Sequence, residues 1–135
     1  MLTHRVARVL VALPRAKDER GLSESTQWAL VLPTLLAMVL GLVQTGVWLH
    51  GRSVAAQAAA TAADLRATGA AADAARQAAL AIASSGGLNE VTVRTDQAGV
   101  GVKVTVTGRV PMFFDFGQAT VSGHAVLPVE RVTAP

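Results

Sequence analysis

The side chains able to hold a metal or pass protons are three histidines and nine carboxylates, and cysteine is absent. Without thiols there is no disulfide, no thiolate nucleophile and no Cys-ligated zinc. His4, His50 and His124 stand far apart in three different sequence environments, so neither a ligand spacing nor a triad is set up. No glycine-rich phosphate loop follows a strand pattern, and no pair of carboxylates marks a plausible cleft. This inventory argues against an enzyme: no catalytic residue, no metal site and no cofactor are expected. The candidate functional residues lie where charge gives way to a long apolar run.

That run, Trp28 to Leu49, carries no charge and as a helix spans about 33 Å at 1.5 Å per residue, enough for a bilayer core. Its Leu and Val residues favour insertion by roughly 3 to 7 kcal/mol on the translocon scale, less a modest cost for Thr34, Gln44 and Thr45. Trp28 and Trp48 stand at its two ends, where indoles partition to the headgroups. Pro33 removes one backbone hydrogen bond and can kink or loosen the helix. Gly41 and Gly46 miss the four-residue spacing of a GxxxG helix pair.

Charge gives the orientation. Arg5, Arg8, Arg15, Lys17 and Arg20 precede the run, offset by Asp18 and Glu19, whereas only His50 and Arg52 closely follow it. The positive-inside rule then predicts a single pass through the cytoplasmic (inner) membrane, N-terminus in and C-terminus out. From Ser53 onward, Arg66, Arg76, Arg94, Lys103, Arg109 and Arg131 are balanced by Asp64, Asp73, Glu90, Asp96, Asp115 and Glu130. The formal net charge of +3 therefore belongs to a membrane flank and argues against nucleic acid as a partner. A cleaved secretory signal is the rival, with Ala56-Gln57-Ala58 as its small-residue site, but the apolar run exceeds the ~7 to 15 residues of such a segment.

Beyond the membrane, Ser53 to about Ala83 is alanine-rich and free of proline, which predicts one continuous helix across Gly69. Val54, Leu65, Leu80 and Ile82 give it sparse larger contacts, and Asp64, Arg66, Asp73, Arg76 and Gln77 a wet face. The alanine stripe suits close packing against other helices, a solvated linker helix being the alternative. Ser84-Ser85-Gly86-Gly87 ends the helix. The period then becomes two. Val91 and Val93 belong to a first strand, Asp96-Gln97-Ala98-Gly99 reads as a turn, and Val100, Val102, Val104 and Val106 form one face of a second strand. A third strand is expected from about Ala119 to Leu127, with Ala119, Val121, Ala125 and Leu127 on its apolar face. The sheet has one face to cover, and the nearby helix is the available partner. Pro111 to Gly117 gathers every phenylalanine of the chain and is read as the plug of a small core rather than a partner-binding patch.

Asp18-Glu19-Arg20-Gly21, a short polar stretch, Trp28-Ala29-Leu30-Val31-Leu32-Pro33, then Val43-Gln44-Thr45-Gly46 and Arg52-Ser53-Val54-Ala55 leading into the alanine-rich segment together resemble the TadE-like proteins. These are minor pilins or pseudopilins of tight-adherence (Tad/Flp) pilus systems, and the likeness covers residues 18–66 or so. It implies a pilin-like α+β fold, a prepilin peptidase cutting after Gly21 to leave Leu22 as the new N-terminus, and other pilin or Tad-apparatus subunits as partners beside membrane lipid. It also implies an assembly contact made by an acid shortly after the cut, here involving Glu24, Gln27 and Pro33. The sequence departs from the family where Gln27, not Glu, immediately precedes the apolar run, and Gln cannot neutralise a neighbour's α-amino group. Read without the resemblance, Gly21 is a loop residue before a helix capped by Ser23 or Ser25.

The expected organisation is a basic cytoplasmic leader over 1–21, a transmembrane helix over 22–50, an alanine-rich helix over 51–85 and a small antiparallel sheet of about three strands over 86–135. The expected role is a structural component of a Tad/Flp-type pilus or secretion apparatus, placed in the inner membrane and reaching the cell surface if it enters a pilus. The alternatives are an independent bitopic envelope protein whose exported sheet binds another protein or a wall component, and a small effector released after Ala58. If the apolar run supplies membrane retention, Leu36→Arg with Val39→Arg should cost roughly 5 to 7 kcal/mol of apparent insertion energy, cancelling most of the gain. Membrane fractionation of that double variant checks this, and unchanged retention would place the anchor elsewhere.

Overall fold

The structure, a computed structural model, describes residues 18–114, 117 and 119–129, with 18–23 described by backbone alone. Two helices, α1 (Asp18–Ala67) and α2 (Ala72–Ser85), precede three strands, β1 (Asn89–Ala98), β2 (Gly101–Arg109) and β3 (Thr120–Pro128). The strands form one antiparallel sheet in the order β1-β2-β3. This is the expected α+β class, a long N-terminal helix followed by a small antiparallel sheet. The described residues fall into two units divided between Val39 and Leu40.

In the first unit only α1 is described. Among the described residues it runs from Asp18, so Ser23 and Ser25 lie inside it and neither is its cap. From Glu24 to Val39 every residue is exposed, the large apolar ones included.

The second unit holds the core. Along α1, Val54, Ala55, Ala58, Ala59, Ala62 and Ala63 are buried, the three-and-four spacing that puts one face of a helix on a partner. One partner is the chain's own sheet, and Val54 also meets the end of α2 at Gly86. A Cβ at Gly123 of β3 would fall on the backbone of Ala55 and Ala56, so helix and strand approach backbone to backbone. Alanine on one side and glycine on the other permit this, and close dispersion contact replaces the bulk that larger side chains would bring. On α2, Ala75, Ala79 and Ala83 repeat at four-residue intervals and are buried, and α2 packs on β1. Val102, Val104 and Val106 of the central strand complete the core, which among the described residues buries no polar or charged side chain.

The helix expected to run from Ser53 to Ala83 is broken. Thr68 to Ala71 separate α1 from α2, and Gly69 takes φ +88, a conformation that a Cβ makes costly. The last turn of α1 is closed by Ala70 N–H to Leu65 O at 2.9 Å and Gly69 N–H to Arg66 O at 3.2 Å, and Arg66 Nη1 donates to Ala70 O at 2.7 Å. A glycine cap and a basic residue in the final turn outweigh the propensity of the flanking alanines. Ser84 to Gly87 terminate α2 as expected, with Leu88 N–H donating to Ala83 O at 3.0 Å.

The hairpin turn also lies further along than Asp96-Gln97-Ala98-Gly99. Ala98 pairs with Gly101, which leaves Gly99 and Val100 as a two-residue connection with Gly99 at φ +61. Glycine first in a two-residue turn matches the twist of the flanking strands. Val100, expected on the apolar face, is therefore 82% exposed at the tip, while Val102, Val104 and Val106 point inward as expected. The third strand and its alternation stand, with Val121 buried and Thr120, Ser122 and His124 exposed.

The helix–sheet contact makes a specific demand at Gly123. Gly123→Val should destabilise the fold by about 3 kcal/mol or more, above the usual overpacking range because the obstacle is backbone and not a movable side chain. Ser122→Ala, on the opposite face, should stay within about 0.5 kcal/mol. Urea unfolding of the detergent-solubilised chain, followed by circular dichroism, compares the two.

Candidate functional site

The apolar run lies wholly within α1 and holds together as helix through Pro33. Pro33 has no N–H to give to the Ala29 carbonyl, and one residue on the Thr34 hydroxyl donates to Leu30 O at 2.8 Å. Further along, Thr45 Oγ1 donates to Gly41 O at 2.8 Å. Gln44 reaches outside the helix and donates from Nε2 to the Phe114 carbonyl at 3.1 Å. The three aliphatic polar side chains of the run are thus all hydrogen-bonded to backbone carbonyls, as residence in hydrocarbon demands.

The run is apolar and unburied at once. The helix between Glu24 and Ala67 contains a stretch of mean hydropathy 2.0, none of it covered by protein. Leaving that much Leu, Val and Met surface in water would be costly, and a bilayer removes the cost. At its end Trp48 is half-buried against the core, with the Arg52 guanidinium 5.7 Å from the ring centroid. A cation over an indole suits the headgroup layer, where an aromatic body meets a charged tip.

Of the residues the resemblance singles out, Gly21 and Leu22 lie in α1, where the backbone alone is described. Glu24 and Gln27 are exposed one turn apart and line a single groove with Trp28, Leu30 and Val31. Pro33 is not with them. At 100° per residue it falls on the side of α1 opposite Glu24. The basic leader over 1–17 lies outside the described residues. Ala58, the last residue of the rival signal-peptidase site, is fully buried on the core face of α1. A cut there would strip Val54, Ala55 and Ala58 from the core, so the released-effector reading loses its fold.

Two features escaped the sequence reading. A lone Gln in an apolar run signals the need for a partner, but only the fold shows that the partner is the loop after β2. The phenylalanine cluster, expected as a core plug, is instead at the surface: Phe113 is 73% and Phe114 54% exposed, and Phe116 lies outside the described residues. Among the described residues no three His, Asp or Glu side chains gather as a metal site.

Over residues 24–64 the chain matches the sequence model of a family described as TadE-like protein, the family its sequence resembles. That match takes in Glu24, the apolar run and the alanine face that seats on the sheet. No curated protein and no solved structure matches the chain.

Proposed function

We propose that this chain is a minor pilin or pseudopilin of the TadE type, a non-enzymatic structural component of a Tad/Flp-type pilus or secretion apparatus. The observation that carries the proposal is the pairing, on one helix within the TadE-like segment, of an uncovered apolar run with an alanine face seated on the chain's own sheet. Such a helix is an anchor and a spine at once. Its apolar part can be held by lipid or handed to the apolar part of a neighbouring subunit, without unfolding the domain that rides on it. The chain is held in the inner membrane with the basic leader in the cytoplasm and the sheet exported, and its partners are lipid and other pilin or Tad-apparatus subunits.

Assembly runs through the exposed flank of Glu24 and Gln27, where Glu24 is the acid available to a neighbour's α-amino group and Gln27 supplies only a neutral hydrogen-bonding group. Pro33, away from that flank, acts through helix geometry. A prepilin peptidase cuts after Gly21. Glycine weakens a helix by about 1 kcal/mol relative to alanine, which favours local opening at the cut.

Mass spectrometry of the protein from a cell with an active prepilin peptidase should find Leu22 as the N-terminus. Gly21→Val should leave a membrane-bound chain heavier by about 2 kDa, at roughly 110 Da for each residue of the leader, because side-chain bulk and lost backbone freedom block the cut. An intact leader on the wild-type chain in that cell would remove the pilin assignment in favour of an independent bitopic envelope protein.

A further inference from the structure

The loop that follows β2 is tied to the membrane helix at a definite depth. Gln44, whose side chain holds the Phe114 carbonyl, lies five residues before Leu49 at the end of the apolar run. At 1.5 Å per residue that is about 7 to 8 Å inside the run. A further contact fixes the same register: Val110 lies against α1 at Gly51. Met112, like Val47 and Trp48, packs on the edge of the core. The segment therefore descends along α1 from Gly51 at Val110 to Gln44 at Phe114, carrying no charge from Val110 to Phe114.

At that depth Phe113 is largely exposed and Phe114 half-exposed. The Phe114 carbonyl is held at Gln44, next in sequence to Leu42 and Val43, which are exposed on the helix itself. Any bilayer that receives Leu42 and Val43 must receive the two rings as well, since about 7 Å falls within the 5 to 10 Å to which interfacial apolar groups bury. The Gln44 bond supplies one of the backbone partners that a loop at this depth would otherwise lack.

We propose that the loop from Pro111 to Phe114 is a second membrane contact, an aromatic wedge inserted into the leaflet on the sheet's side, with Gln44 as its positioning residue. The sheet domain is then held to the bilayer surface at two points, the helix and the wedge, which restricts its swivel about α1. The proposal rests on the membrane placement of Trp28 to Leu49 and not on the assignment to a pilus.

The absence of cysteine allows single labelling sites in the full chain. Phe113→Cys, Leu42→Cys and Lys103→Cys, each carrying a nitroxide, are reconstituted in phosphatidylcholine–phosphatidylglycerol vesicles. Electron paramagnetic resonance then compares collision with oxygen, which enters lipid, and with a nickel chelate, which stays in water. The oxygen-to-nickel ratio at Phe113→Cys should approach that at Leu42→Cys and exceed several-fold that at Lys103→Cys, an exposed sheet position. Adding Gln44→Leu should bring it back toward the Lys103→Cys value. A Phe113→Cys ratio equal to that of Lys103→Cys overturns the wedge while leaving the helix in the membrane. Exclusion of both probes with spin–spin broadening overturns it in favour of a second copy of the chain. A watery Leu42→Cys overturns the membrane placement and the wedge together.

Discussion

The alanine face of α1 is the constraint from which the rest of the structure follows. Val54, Ala55, Ala58, Ala59, Ala62 and Ala63 let the sheet come down to backbone contact at Gly123, and no larger side chain could occupy that seam without lifting the strand. Because alanine gives up little area on burial, the core is thin; the largest side chains it fully buries are Val104 and Val106. Stability in such a core comes from tight approach rather than bulk, so it tolerates expansion poorly.

The same helix meets two surroundings in succession. From Trp28 to Val39 its large apolar side chains face outward, and Val47 and Trp48 already pack on the core; from Gly51 onward small side chains face inward. The junction is built from residues suited to a boundary: Trp48 under Arg52, and Gln44 bonded to the loop that follows β2. A chain that must both lodge in lipid and carry a folded domain needs this division, since large apolar side chains on the core face would push the sheet away and alanine alone would insert weakly.

The sequence disclosed the apolar run, the period-two strands and the helix that covers them, because each rests on a repeating pattern several residues long. It misled where one residue outvoted its neighbours. Gly69 broke a helix that the surrounding alanines favoured, since a positive φ with its capping bonds is worth more than the propensity of a few residues. Gly99 drew the hairpin turn forward and carried Val100 to the tip. Hydrophobicity alone places the phenylalanines in a core; the exposure of Phe113 and Phe114 follows from a core face already filled by alanine and valine, and from the descent of their loop along an apolar helix. Of the residues proposed for assembly, helical spacing sets Glu24 and Gln27 together and Pro33 apart. For Gly21 and Leu22 the fold adds only a helical backbone.

We infer that one helix crosses the membrane and bears an exported sheet domain. A reporter active only outside the cytoplasm, fused after Pro135, tests it most directly. That reporter should be active and a cytoplasm-only reporter at the same position silent, as the bases ahead of the span require. Activity of the cytoplasm-only reporter there, with the exported one silent, would contradict it.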